Sequence, residues 1–429
     1  MAKINPFAPN SPIHTGMFVG RVPELRRLEH ALIQTKAGNP ANFMITGERG
    51  IGKSSLLNYI KDVAQGMETL DNEKVSFLVI DTDIDENTTQ LGIIKKMELA
   101  LNHALGKTET ARTFLRQSWE FLQRVEAGGV RLKSDERSEN EELLLEEFAY
   151  SLSGIVNRVS SDDDSGVFSA RFDGILVLID EADNASKKLS LGSFFKLFTE
   201  RLQRRGCTRV AFGIAGLPEL RNVLMESHAS SLRLFEENIL GRLSANEVNT
   251  VIDFGLKRAN ARNADKTTIT PEAKDRLVAY SEGYPHFIQQ FAYSAFGADK
   301  DNVIDADDVT NGAFGRRGAM ELIGDRYYRD NFYNKIQKDS YRQVLRIMAD
   351  KLDDWLTKKE IKSKFKGPET TLDNALFALR DRKIILAKEG ERGVYRLQHK
   401  GFAWWIKLYT ADQSSSKRLP ASTTQKVST

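Results

Sequence analysis

Eight consecutive residues, Gly47-Glu48-Arg49-Gly50-Ile51-Gly52-Lys53-Ser54, satisfy the pattern G-x-x-x-x-G-K-[ST] in full, and the chemistry of that pattern is a grip on a polyphosphate. Glycines let successive backbone N–H groups close around phosphate oxygens, and a helix starting at the end of the loop adds the partial positive charge of its N-terminus. In such a loop the Lys53 ammonium reaches the β- and γ-phosphates of ATP and the Ser54 hydroxyl ligates Mg²⁺, with Ser55 following in the first helical turn. A second pair of chemically able residues, Asp180-Glu181, ends the apolar run Ile175-Leu176-Val177-Leu178-Ile179. There the aspartate completes the coordination of Mg²⁺ and the glutamate polarises a water. Taken alone, two acids after a strand are equally the start of a solvated loop; the phosphate loop upstream favours the metal.

These residues need a sheet to hold them. A short strand, Asn42-Phe43-Met44-Ile45-Thr46, runs directly into the glycine loop, and Ser54-Ser55-Leu56-Leu57 starts the helix after it. Further strands read as Val75 to Asp81, Ile175 to Asp180 and Arg209 to Ala215; the Ile175 strand is apolar on both faces, as a central parallel strand should be. Helical periodicity lies between them, at 23–34 with Leu25, Leu28, Ala31 and Leu32 on one face, and at 193–204. Strands alternating with helices give an α/β fold, a doubly wound parallel sheet. Residues 5–20, rich in Pro and Asn, form an extended arm, and a long helical insertion occupies 85–174, broken at Gly128-Gly129 and by the polar run 160–166. The polar run reads as a solvated loop in preference to a cation site, and Asp183 as a helix N-cap.

After Leu243 the pattern turns all-helical, with a capping box at Ser244 to Glu247 and a helix start at Thr270-Pro271-Glu272. The resulting division is an arm and nucleotide-binding base at 1–244, a helical lid at 245–330, a third domain at 331–410 and a disordered tail at 411–429.

Composition removes several function classes. With 41% hydrophobic and 28% charged residues the chain has enough apolar content for real cores. No apolar run approaches the roughly 20 residues of a membrane span, and Met1 to Pro6 lacks the apolar stretch of a secretory signal. The single cysteine, Cys207, allows neither an internal disulfide nor a cysteine-based zinc cluster, and the six histidines show no H-E-x-x-H spacing. A cytoplasmic protein without membrane partners is the expectation. Net charge is +3, but residues 335–410 hold 18 Lys and Arg against 10 Asp and Glu. That excess suits a polyanion meeting the C-terminal part; attraction to the acidic remainder of the chain explains it equally.

With the phosphate loop and the acidic strand end on the page, residues 17–330 resemble the AAA+ ATPases, in the branch of the origin-recognition initiators and the STAND signalling ATPases. Phe18-Val19-Gly20-Arg21 followed by Glu24-Leu25 looks like that branch's motif beside the adenine, which implies Phe18 and Val19 as nucleotide contacts. Gly216-Leu217-Pro218-Glu219-Leu220 follows the sensor-1 strand, and Leu232-Arg233-Leu234-Phe235 leads into the last core strand. Glu282-Gly283-Tyr284-Pro285-His286-Phe287 looks like the Gly-x-Pro motif opening a lid helix, which implies Pro285 as a further nucleotide contact. The resemblance implies a base and lid closing on ATP and Mg²⁺, head-to-tail oligomers with themselves or a partner ATPase, and Arg233 as an arginine finger acting on a neighbour's γ-phosphate. A surface arginine beside a strand is the other reading of Arg233. Two positions depart from the pattern: Ala215 and Gly216 stand where a water-orienting Asn, Thr or Ser belongs, and His286 stands where many initiators carry an arginine. Both point to binding with slow turnover.

The third domain reads as a helix at 340–351, a helix opened by the capping box Thr357-Lys358-Lys359-Glu360, a helix at 368–382, and a hairpin of Ile384 to Lys388 with Val394 to Leu397 around Glu389-Gly390-Glu391-Arg392-Gly393. Three helices and a hairpin make a winged helix–turn–helix. Its third helix begins Glu369-Thr370-Thr371-Leu372-Asp373, an acidic start for a groove reader. The cations lie at 358–366 and 388–396, where they suit DNA phosphates and not base edges. Phe402, Trp404, Trp405 and Tyr409 read as core of this domain. The combined expectation is an ATPase switch, catalysed by Lys53, Glu181 and Arg233, whose nucleotide state controls a winged helix on DNA. The alternative is a STAND-like signalling or defence scaffold in which winged helix and insertion dock a protein partner. A metabolite kinase would share the phosphate loop but neither the lid motif nor the winged helix.

Overall fold

The structure is a computed structural model describing residues 3–11, 18–68, 73–127, 134–161, 167–168, 170–352, 354–388 and 390–410. Gly128-Gly129, most of the 160–166 loop and the whole of 411–429 fall outside the described residues. The chain forms two compact units, Asn10–Leu243 and the described parts of Met1–Pro9 with Ser244–Thr429.

The first unit runs α1 (Val22–Lys36), β1 (Asn42–Gly47), α2 (Lys53–Ala64), β2 (Phe77–Asp83), α3 (Gln90–Leu105), α4 (Glu109–Ser118), α5 (Glu120–Ala127), α6 (Ser134–Ser160), β3 (Gly174–Asp180), α7 (Leu191–Arg204), β4 (Val210–Gly216), α8 (Leu220–Ser227) and β5 (Phe235–Leu240). Its five strands pair in parallel in the order β2-β3-β4-β1-β5, the expected α/β parallel sheet. The chain leaves β1 toward β2 at one edge and leaves β4 toward β5 at the other. The crevice at the carboxyl ends of these two neighbours is therefore the switch point where open parallel sheets bind ligands.

β3 is buried along almost its whole length. Ile175, Val177 and Ile179 enter a cluster with Phe148, Phe194, Phe195 and Phe198, while Leu176 and Leu178 alternate to the opposite face and are equally buried. The Phe148 and Phe198 rings stack 4.5 Å apart and 9° from parallel. Such pairs add about 0.5–1.5 kcal/mol beyond their area. Phe43 lies so close over β4 that a Cβ at Gly213 would sit 2.3 Å from its ring. The segment 85–174 is not simply an appendage: Ile93, Ile94 and Met97 of α3 and Phe148, Leu152 and Ile155 of α6 are fully buried in the same core as the sheet. An apolar sheet face must be covered, and these helices cover it.

The second unit runs α9 (Ala245–Asn260), β6 (Thr268–Ile269), α10 (Pro271–Ser281), α11 (Pro285–Ala298), β7 (Val303–Ile304), α12 (Ala306–Phe314), α13 (Ala319–Ile323), α14 (Asp339–Ala349), β8 (Leu356–Thr357), α15 (Lys358–Lys364), α16 (Glu369–Asp381), β9 (Ile385–Ala387), β10 (Val394–Leu397) and α17 (Lys400–Tyr409). The boxes at Ser244/Glu247 and Thr357/Glu360 form as the i, i+3 spacing requires. One feature departs from the all-helical expectation: β6 and β7 pair in parallel, with Thr268 opposite Val303.

The N-terminal arm also differs from its assignment to the base, because residues 3–9 pack with this unit. Asn263 accepts from Ile4 N at 2.9 Å and donates to Ile4 O at 3.0 Å. Phe7 is buried where a Cβ on Gly255 would come within 2.7 Å of its ring. α14, α15 and α16 followed by a hairpin, with the order β8-β10-β9, give the winged helix–turn–helix. Its aromatic helix α17 does more than fill that module: Trp404 meets Tyr280 of α10 and Phe314 of α12 edge-on. Trp405 presses on Gly324, where a Cβ would lie 2.0 Å from the indole. Among the described residues no helix is long and apolar enough to cross a membrane.

Candidate functional site

Strand β1 ends at Gly47, and Gly50 and Gly52 take φ of 79° and 102°, a left-handed backbone that a residue with a Cβ adopts only under strain. A Cβ on Gly47 would stand 2.8 Å from Ile51 Cγ2 and 3.1 Å from Leu240 O, so the loop closes tightly only with glycine there. α2 then starts at Lys53 with Gly52 at its N-cap and no side chain capping it, which leaves the first N–H groups of the helix aimed at the loop. The Lys53 ammonium folds back over the loop and donates to Gly47 O at 2.9 Å and Glu48 O at 3.0 Å. Burial pushes its pKa below the usual lysine value, against the opposing pull of Asp180 and Asp183. A half-desolvated cation ringed by amide dipoles suits a phosphate.

Asp180, at the carboxyl end of β3, is held at both oxygens: Oδ1 accepts from Glu181 N at 2.8 Å and Oδ2 from the Ser54 hydroxyl at 2.6 Å. Ser54 and Asp180, the two residues expected at a metal, thus meet across the crevice. Asp83 is the register partner of Asp180 on the neighbouring strand. Glu181 is exposed and has φ 54°, a strained conformation costing about 1–3 kcal/mol that concentrates at functional positions. Its Oε2 accepts from Asn184 Nδ2 at 3.4 Å. Hard oxygen donors of this kind suit Mg²⁺; among the described residues no cluster of three His, Cys, Asp or Glu forms a metal cage of its own.

Phe18 packs its ring 5.4 Å from Tyr59 of α2, and Val19 is half-buried beside it. Arg49 is exposed at the loop's tip, while Glu48 and Ser55 are partly buried. Arg233 is not part of this assembly. It lies exposed just before β5, whose first residue pairs with Asn42 and whose last pairs with Gly47. That places Arg233 about 20 Å, one strand length, from its own phosphate loop. Pro285 begins α11 in the other unit, after Glu282 and Gly283 with φ of 51° and 74°.

Three interactions escaped sequence reasoning. Arg21, buried, donates to Ile51 O at 3.3 Å and Gly241 O at 2.5 Å, tying the segment before α1 to the phosphate loop. Asp183 caps no helix: it lies in a short turn, and its Oδ1 accepts from Leu217 N at 2.9 Å. Gly216 makes room for it, since a Cβ there would sit 2.7 Å from Asp183 Oδ1. Glu237 accepts from Thr46 Oγ1 at 3.0 Å and pairs with Arg221. Each bond joins residues far apart in sequence, and only the G-R of the Phe18-to-Arg21 motif offered any local signal.

The cations expected to meet phosphates are largely engaged. Lys358 pairs with Glu369 at 2.9 Å and Asp373 at 2.6 Å, Lys364 with Asp350 at 3.7 Å and Lys388 with Glu391 at 2.5 Å. Those two acids on α16 raise the Lys358 pKa. Lys362 donates to Gly367 O at 2.6 Å, and Arg396 stacks 5.0 Å over Trp355. Lys359, Lys366 and Arg392 are exposed.

Residues 17–214 match the AAA ATPase domain family. The chain is similar to an uncharacterised HTH-type transcriptional regulator of Methanocaldococcus jannaschii, 28% identical over 292 residues; these are 67% of this chain and 65% of the relative, so the match leaves over a third of that protein uncovered. Among solved structures it is similar to the ORC2 protein of Aeropyrum pernix in ADPNP–ADP complexes, at 14% identity and TM-score 0.54, over 96% of this chain and 98% of that one. At this identity the likeness is one of fold.

Proposed function

We propose that this protein is an ATP-dependent switch: it binds Mg²⁺–ATP at residues 47–55, hydrolyses it slowly, and lets the nucleotide state govern its winged helix on DNA. The observation that carries the proposal is the 2.6 Å bond from Ser54 to Asp180 beside a Lys53 ammonium folded over the phosphate loop. Mg²⁺, held by Ser54 and Asp180, supplies neutralising charge to the β- and γ-phosphates. The loop amides and Lys53 bind and orient the triphosphate. Glu181 accepts a proton from the attacking water. Ala215 and Gly216 offer no side chain to orient that water, which supports low turnover. Arg233, too far to serve its own loop, serves a neighbouring copy in a head-to-tail assembly, an arrangement that polymerises or closes into a ring. The likeness to a relative named as an HTH-type regulator and the basic C-terminal region support DNA as the partner. A sole cysteine kept reduced fits action in the cytoplasm.

Calorimetric titration with Mg²⁺–ATP tests the reading. Wild type should give saturable heat and Lys53→Ala none; intact monodisperse wild type silent with every magnesium nucleoside triphosphate ends the proposal. One observation favours a protein partner for the winged helix instead. The exposed face of α16 carries Glu369, Asp373 and Phe377, the last 63% exposed, which suits a basic protein better than a phosphate. Duplex-DNA binding titrated with salt separates the two, since phosphate contacts weaken steeply as salt rises.

A further inference from the structure

The last helix of the second unit, α17, serves two modules at once. Toward the lid helices, Trp404 meets Tyr280 of α10 at 5.1 Å and Phe314 of α12 at 5.7 Å. His399, just ahead of the helix, stands 4.9 Å from Tyr284 and 6.2 Å from Phe287. Toward the winged helix, α17 packs on α14 and β10, and Trp405 and Phe402 lie against Phe332. The fit is close on both sides: a Cβ on Gly324 would lie 2.0 Å from the Trp405 indole, and one on Gly401 would lie 3.0 Å from Tyr328 Oη. Residues 330–331, where the sequence divides lid from winged helix, are thus bridged by a packed aromatic core, which shifts as a unit and does not flex.

The same helix is capped from the lid. Its own N-cap residue, His399, supplies no side-chain bond. Instead Glu282 Oε1 accepts from Gly401 N at 3.1 Å, across 119 residues of chain. The bond satisfies one of the donors that a helix start leaves open and sets a carboxylate at the positive end of the helix dipole. Glu282 follows α10 with φ 51°, a left-handed position that ordinarily belongs to glycine. It directly precedes the Gly283-Tyr284-Pro285 turn. We infer that Glu282 is a positioning residue that latches the winged helix to the lid, so that a nucleotide touching Pro285 moves lid and winged helix as one body. The inference rests on the proposed ATP site and specifies how its state reaches the winged helix. Stability alone does not account for the contact. A Ser, Thr or Asp at position 399 would cap α17 locally, and a glycine at position 282 would end α10 without strain. A glutamate kept there against its conformational preference joins the turn that carries the expected nucleotide contact to the first turn of α17. A displacement of that turn is then passed to the helix, because packed elements of this kind move between discrete arrangements.

The test is amide hydrogen exchange of the full-length protein, read by mass spectrometry with and without saturating Mg²⁺–ATP. In wild type the nucleotide should slow exchange at 47–55 and change it at 286–290 and at 400–406 together, by about fivefold or more if the coupling is of ordinary size. Glu282→Gly should keep the responses at 47–55 and 286–290 and lose the one at 400–406. Because glycine accepts φ 51° freely, this variant removes the carboxylate without adding strain, which guards against misfolding. Glu282→Gln keeps an acceptor oxygen for Gly401 N and should respond as wild type does. The readout is the difference that nucleotide makes, which a cap serving stability alone would leave unchanged. A Glu282→Gly protein whose 400–406 segment still responds to ATP overturns the latch. So does wild type that is protected at 47–55 but shows no change at 400–406, and in both cases the ATP site stands. Wild type with no protection at 47–55 overturns the ATP site and the latch together.

Discussion

Ser54 Oγ and Asp180 Oδ2 stand 2.6 Å apart, although the strands from which they issue, β1 and β3, are separated in the sheet by β4. A hydroxyl and a carboxylate at this separation fit the proposed site for a hard cation between the loop and the strand end. Ser54→Ala and Asp180→Asn should each weaken Mg²⁺–ATP binding at least tenfold, about 1.4 kcal/mol, while binding of ATP in excess EDTA changes little. The double variant should lose less than the sum, as residues sharing one partner do. Calorimetry with and without the metal decides: equal losses in EDTA would show that the pair contacts phosphate directly.

The Lys53 ammonium titrates below the usual lysine range, chiefly because it is buried. Between its folded and unfolded pKa values the unfolded chain binds more protons, so this residue makes stability rise with pH across that window. The nucleotide should respond in the opposite sense. Triphosphate stabilises the charged ammonium, so affinity falls as pH rises through the lowered pKa and the ammonium is lost. Lys53→Arg keeps its charge in that range and should show a flat alkaline profile, whatever its absolute affinity. Binding isotherms over an alkaline pH series read this directly; matching declines in both proteins would place the titrating group elsewhere.

What was legible in the sequence is what lies within a few residues. The glycine loop, the acidic end of β3 and the capping boxes at Ser244 and Thr357 are local patterns whose geometry follows from spacing alone. Strand pairing is not local: Phe43 meets Gly213 and Asp83 meets Asp180 through partners over ninety residues away, which no periodicity encodes. For the same reason Asp183 read as a cap when it binds Leu217, and Lys358 read as a phosphate contact when Glu369 and Asp373 hold it. In a charged surface helix, sequence gives the count of charges; the packing of α15 against α16 decides which of them cancel.

Glu181 combines a catalytic assignment with a strained backbone, and the two are separable. Glu181→Gln keeps the length and the left-handed φ, so it should bind ATP normally and release no phosphate. Normal hydrolysis by this variant means that another group is the base. Glu181→Gly should be equally inactive yet more stable, by about 1 kcal/mol, because glycine accepts φ 54° freely. Phosphate release and denaturant midpoints together make the distinction, since a purely structural glutamate would leave turnover intact.

Cys207 is 1% exposed, and burial pushes its thiol up to about 12. A thiol so protonated and so enclosed is a poor nucleophile, so an aromatic disulfide reagent at neutral pH should label the native protein only as fast as its first unit opens. Added denaturant should accelerate labelling in step with loss of helical circular dichroism. Fast stoichiometric labelling of the native protein would show that the 193–212 region opens locally.

Gly216 ends the strand where a polar side chain could have oriented a water, and its neighbour explains why none is there. A Cβ would lie 2.7 Å from Asp183 Oδ1 and 3.1 Å from Leu220 Cδ2, while Asp183 is bound to Leu217 N at 2.9 Å. Gly216→Ser should therefore destabilise by about 1–3 kcal/mol through overpacking and should not accelerate turnover, because it displaces the turn following Glu181. Asp183→Ala alone should cost about 1–3 kcal/mol by depriving the Leu217 N–H of its acceptor. Combined, the two should lose clearly less than the sum, for the smaller residue vacates the space that the serine needs. Strictly additive midpoints in urea would mean that the clash is relieved by a route other than Asp183, and the proposed slow turnover would then need a different cause.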